Sequence, residues 1–192
     1  MWTSLNKKIC LFFSIIFTIG IIIGFIFLIY LEESSKELIS LNINEWLQSL
    51  STSHINSILE HIIILSTLAI LSIFVIGLPL IIFFVFYNGF SIGFLLMSLI
   101  EIFGVKGLIY GLIYLIITKG IYLFFLTIFI LALIKIIILI IKRLIWHQKM
   151  NKNLLATYCK RILICIGVII LSDIILYFGG TKLISIFNFL LN

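Results

Sequence analysis

Residues 9–31 read ICLFFSIIFTIGIIIGFIFLIYL, 23 positions without a charge. Wound as a helix at ~1.5 Å per residue, such a run crosses a hydrocarbon core of roughly 30 Å. Its isoleucines and phenylalanines would favour strands in water. In lipid each backbone N–H and C=O must find a partner inside its own segment, so the run is read as a helix. A cleaved signal peptide would have a shorter apolar stretch ending in a small-x-small site. This run ends Leu28-Ile29-Tyr30-Leu31-Glu32, so an uncleaved span is expected.

The rest of the chain has the same character. Of its 192 residues 64% are hydrophobic and 10% charged, with one proline. A soluble domain is nearer half apolar and a quarter charged. The alternating ten-residue pattern of a membrane barrel is not found. The fold class is therefore all-α: one polytopic transmembrane helical domain over residues 1–192. The net charge of +6 comes from basic residues beside apolar runs. It is read as topology signals and attraction to anionic lipid headgroups, not as a nucleic-acid surface. Cys10, Cys159 and Cys165 are odd in number and show no CxxC spacing, so neither a disulfide framework nor a metal site is expected.

Outward from the first span, residues 32–61 are polar and hold Glu32, Glu33, Glu37, Glu45 and Glu60 against a single Lys36. Within them Ile43, Trp46, Leu47 and Leu50 fall at helical spacing, behind a cap at Asn42 with Glu45 three residues on. That predicts a short amphipathic helix on the membrane surface. Further spans are expected at 62–87, 90–103, 121–141 and 162–178, about five in all. Gly77-Leu78-Pro79 should kink the second span, and Asn88-Gly89 should turn the chain after it. Around residues 90–117 a short or re-entrant helix pair is expected, broken at Gly104 and Gly107 and ended at Lys119-Gly120. Gly179-Gly180 should close the last span.

Residues 142–161 carry Lys142, Arg143, Lys149, Lys152, Lys160 and Arg161 with no acid. The positive-inside rule puts this loop and the amino end in the cytoplasm, and the acidic 32–61 segment outside. Five spans then leave the carboxyl end outside, whereas six would bring it in.

Glycines four apart, Gly20 with Gly24, Gly89 with Gly93 and Gly107 with Gly111, let helices approach closely in lipid. Packing within one chain and self-association as a homo-oligomer both use them. Glu101, Lys106, Lys119, Lys135 and Asp173 lie in or near the apolar runs, and Lys119 and Asp173 are the candidate intramembrane ionisable groups. Asp173, ~16 Å along its helix from Ile162, needs a partner, and Lys119 is the nearest candidate. A structural ion pair and a proton or ion relay are both open. No catalytic constellation and no cofactor fingerprint is found. His54 and His61, seven apart, lack a third ligand for zinc. No histidine is placed within the spans.

Three stretches carry a resemblance: Ile76-Gly77-Leu78-Pro79-Leu80, Tyr87-Asn88-Gly89-Phe90-Ser91-Ile92-Gly93-Phe94, and Gly104-Val105-Lys106-Gly107. With the order of the elements, they make residues 10–180 resemble the stage II sporulation protein M family. Where broader members of that family carry Pro-His-Gly-Ile and a following Glu, this chain has Thr118-Lys119-Gly120-Ile121 and Leu123. That departure weakens a transport reading and fits the sporulation branch better. The resemblance implies a non-enzymatic membrane scaffold. Its partners would be the peptidoglycan hydrolases called stage II sporulation proteins D and P, held at the septum during engulfment.

Overall fold

The computed structural model describes residues 4–49, 54–72, 74, 77–146 and 152–191. All elements among them are helices: α1 Ser4–Ile29, α2 Glu33–Ser49, α3 His54–Leu71, α4 Gly77–Phe103, α5 Val105–Trp146 and α6 Lys152–Leu191. Four of these are long and apolar enough to cross a membrane, and Ile58–Leu71 is a shorter apolar helix. The bundle's outside is studded with exposed Leu11, Ile15, Ile22, Phe83, Phe124 and Leu163. Water would penalise that surface, whereas lipid accepts it. The chain is a membrane protein of the polytopic all-α class.

Three expected boundaries fall elsewhere, for local reasons. One helix ends at Leu71 and the next begins at Gly77, with no interruption at Asn88-Gly89: Phe74 N–H donates to the Leu71 carbonyl (3.0 Å) and Gly77 N–H to the Phe74 carbonyl (2.9 Å). Pro79 therefore lies in the first turn of α4, where its missing N–H has no helical partner to lose, and it opens a helix instead of kinking one. Asn88 and Gly89 sit inside α4, with no turn. The Asn88 amide donates to the Phe84 carbonyl one turn back (2.9 Å), so its polar group is satisfied without leaving the helix.

At Lys119-Gly120 no break occurs either. α5 runs on for 42 residues and absorbs both the expected half helix and the 121–141 span. A helix pair does meet around 90–117, but its members are the ends of two long helices. They join at Gly104, whose φ of 61° is the left-handed corner a glycine takes readily. Gly179-Gly180 likewise lies within α6.

The tightest seam joins α1 to α4. A Cβ on Gly20 would strike the Phe86 carbonyl oxygen, and one on Gly24 that of Phe90. Reciprocally, Gly89 faces the Phe17 carbonyl and Gly93 that of Ile21. The pairings advance together along both helices, so α1 and α4 run parallel. Phe27 closes the seam, with ring centroids 5.6 Å from Phe90 and 6.3 Å from Phe94. Two parallel helices need a return pass between them, and α3 supplies it. Its apolar part, Ile58–Leu71, spans only ~21 Å.

On the other side of α4, a Cβ on Gly107 would meet the Leu99 carbonyl, and Gly111 faces Leu96 and Leu99, so α4 and α5 are antiparallel. α6 then packs along α5 and α3. Leu65, Ile81, Phe129, Leu133, Ile137 and Ile169 form the fully buried centre.

Candidate functional site

The core that α3, α5 and α6 enclose contains a polar cluster. Asp173 on α6 is 8% exposed. Its Oδ2 lies 2.7 Å from Nδ1 of His61 on α3, across 112 positions of sequence. An ionised carboxylate accepts there from an Nδ1 that carries the hydrogen. The His61 ring stacks on Tyr122 of α5 at 4.8 Å and 19°. The Tyr122 hydroxyl reaches Asn88 Oδ1 on α4 at 3.4 Å. Lys119 Nζ lies 5.3 Å from the centre of the same tyrosine ring. Asn88 stands ~17 Å from the start of α4 and ~22 Å from its end, which puts the cluster near mid-height of the bundle.

Asp173 and Lys119 are thus brought into one cluster, but the direct partner of Asp173 is His61, which corrects the expected pairing. Its signal was present as spacing. His61, Leu65, Leu68 and Ser72 lie on one helical face. Leu65, Leu68 and Ser72 are buried. A charge at mid-membrane is costly alone, and each buried ion needs a partner and hydrogen bonds to be tolerated. Ionisable groups in such places are candidate functional groups by default.

A cavity of about 270 Å³ lies between α1, α4 and α5, reaching Cys10, Ser14, Asn88 and Thr127. Neither Asp173 nor Lys119 lines it. Cys10, Cys159 and Cys165 are all free thiols. Among the described residues no three His, Cys, Asp or Glu side chains converge as metal ligands.

The outer segment forms a second candidate surface. α2 packs on α4. Lys36 Nζ binds Glu33 (3.1 Å) and approaches Glu101 of α4 (3.8 Å). The Glu33 hydrogen bond, with the charges of Glu33 and Glu101, holds the Lys36 ammonium above its ordinary pKa. Of the expected docking stripe, Ile43 is buried at 8% exposure, so it faces inward and is not offered to a partner. Trp46 and Leu47 lie within the α2 backbone, but their side chains, and all of Leu50, fall outside the described residues. Glu32, Glu33 and Glu37 are exposed.

The glycines expected at helix contacts divide in two. Gly77, Gly89, Gly93 and Gly107 touch neighbouring backbone, while Gly104 and Gly120 meet nothing within 4 Å. No family model, curated protein or solved structure matches the chain.

Proposed function

We propose that this chain is a non-enzymatic membrane scaffold of the kind that its resemblance to stage II sporulation protein M implies, one that recruits peptidoglycan hydrolases to the sporulation septum for engulfment. The observation that supports this reading is the use made of the resembling motifs. Gly77-Leu78-Pro79 opens α4 after a break, Gly89 and Gly93 let α1 approach, and Gly104 with Gly107 makes the α4–α5 corner. Their work is to hold backbones in place, as a scaffold requires, and none of these glycines lines the cavity beside Asn88.

In this reading the amino end and the basic 142–161 segment, with Lys142, Arg143, Lys160 and Arg161, are cytoplasmic. α2 and the carboxyl end are extracytoplasmic, in the cell membrane of the host. The acidic Glu32, Glu33 and Glu37 would steer a basic partner towards Trp46, since tryptophan is frequent among interface anchors. Co-purification tests it. Trp46→Ala should leave the protein in the membrane and lose the hydrolase partner, whereas partner recovery at wild-type levels would remove α2 as the docking site.

A second reading, a transporter or channel subunit with a polar site around Asp173 and Lys119, is favoured by the buried His61–Asp173 contact. Asp173→Asn protein that stays abundant but loses proton or ion flux in vesicles would select it.

A further inference from the structure

α1 and α5 pack on α4 far more closely than on each other, and the gap between them is the cavity of about 270 Å³ beside Asn88. Val85 of α4 is its floor, Phe13 and Phe17 line one wall, and Leu126 and Ile130 line the other. Two of its polar groups are tied back to their own helices: the Asn88 amide donates to the Phe84 carbonyl and the Thr127 hydroxyl to that of Leu123. The walls therefore offer a ligand mainly hydrocarbon. Ser14 and Thr127, both exposed, frame an opening at the side of the bundle. Exposed Leu11 and Phe124 flank that opening by helical register, so it faces lipid.

The dimensions of this slot fit one acyl chain. From Lys7, where the α1 span begins, to Phe17 is ~15 Å of helix, the depth of one leaflet in a core of roughly 30 Å. The cavity follows ~10 Å of that helix, from Cys10 to Phe17, so its 270 Å³ give a mean cross-section of roughly 25 Å². A partner helix, ~10 Å across, would need roughly 80 Å². A single extended hydrocarbon chain is thin enough to enter. The end of the slot nearest the start of α1 is basic. Lys7 is exposed and shares an edge of α1 with Cys10 and Ser14, three and seven positions on. Lys135 stands one turn beyond Leu131, which lines the slot from α5. The chain's acids lie elsewhere: α1 and α5 carry none, and α4 carries only Glu101, near its far end.

We propose that the slot between α1, α4 and α5 binds one membrane phospholipid with an anionic headgroup, its acyl chain in the slot and its headgroup at Lys7 and Lys135. Basic side chains at the mouth of a crevice between membrane helices attract such headgroups, and no acid on these helices competes for them there. The bound chain supplies the packing that α1 and α5 do not give each other, and the headgroup ties the bundle to membrane rich in negative lipid. This goes beyond either functional reading and depends on neither.

The test uses the full chain in nanodiscs of equal phosphatidylglycerol and phosphatidylcholine with identical acyl chains, released into detergent for native mass spectrometry. Wild-type protein should retain phosphatidylglycerol at least about tenfold over phosphatidylcholine, a discrimination that two lysines near a membrane surface can supply. The double variant Lys7→Gln/Lys135→Gln should lose that preference. Thr127→Phe, which fills the mouth of the slot, should lose bound lipid of both kinds. Equal retention of the two lipids by wild type overturns the proposal, as does a preference that survives in either variant. Glycerol phosphate, the headgroup without its chains, should not displace the lipid, and displacement by it would assign the site to a free anion and refute the lipid. If Thr127→Phe does not accumulate, Cys10 decides in the wild-type chain, because it lines the slot. Its alkylation by N-ethylmaleimide, read by peptide mass spectrometry, should be severalfold slower in phosphatidylglycerol nanodiscs than in phosphatidylcholine ones, with Cys159 unchanged. Equal rates at Cys10 refute the site.

Discussion

The α1–α4 seam and the α3–α6 contact hold helices together in opposite ways. In the seam, Gly20, Gly24, Gly89 and Gly93 remove side chains so that carbonyl oxygens and backbones touch directly. In the other contact, His61, Asp173, Tyr122 and Lys119 place polar side chains where lipid gives no alternative partner. Lipid tails are as apolar as leucine, so burying apolar area does not drive helix association in a membrane. What remains is close packing, as in the first contact, and buried polar bonds, as in the second. The first has no titratable part and no adjustable side chain.

Substitutions should separate the two. The largest effect is expected in the seam: Gly93→Leu pushes a branched side chain into the Ile21 backbone and should cost about 3 kcal/mol or more. Gly120→Leu enters open space and should be tolerated. Membrane accumulation of both variants measures this, and equal amounts would contradict the seam. Next comes the corner that fixes how α5 leaves α4. Gly104→Ala forces a Cβ into the left-handed region at φ 61° and should cost about 1–2 kcal/mol in thermal unfolding.

In the polar contact, Asp173→Asn keeps a hydrogen-bond acceptor for His61, so the loss should be near 1 kcal/mol. Asp173→Leu should cost several times more, because it strands His61 and Lys119 without their acid. A similar cost for both would show that the hydrogen bond to His61 contributes little. The smallest effect belongs to the surface: Lys36→Met loosens α2 from Glu101, with little change in melting temperature. Any change should disappear at high salt, where exposed pairs are screened.

Much of this was legible from local sequence, and the rest was not, for physical reasons that differ from site to site. Residues 9–31 could only be a span, because no charge or breaker interrupts them. The glycine pairs were legible as close-contact sites from their spacing alone. Reading Asn88-Gly89 and Lys119-Gly120 as breaks applied the turn chemistry of soluble proteins, where water takes up a freed carbonyl. Inside lipid a helix keeps its hydrogen bonds, and such glycines stay helical, facing a neighbour at 89 and open space at 120. His61 was assigned to the outer polar segment because it follows Glu60, although Leu65, Leu68 and Ser72 repeat its helical face. Its partner lies 112 positions away, a distance that periodicity cannot bridge. Ile43 was read as part of an outward stripe, but an apolar stripe at helical spacing does not say which surface covers it.

α3 ends at Leu71 and α4 begins at Gly77, so Asn88, with the polar cluster behind it, lies inside an apolar helix. Cysteine accessibility tests it most directly, in a background with Cys10 and Cys159 changed to Ser and Cys165 to Ala. A cysteine replacing Phe74 should react with a membrane-impermeant thiol reagent only once the cytoplasmic face is opened. A cysteine replacing Asn88 should stay unreactive from both faces. Labelling at 88 from the cytoplasmic face, with 74 protected, would restore the turn at Asn88-Gly89 and contradict the account.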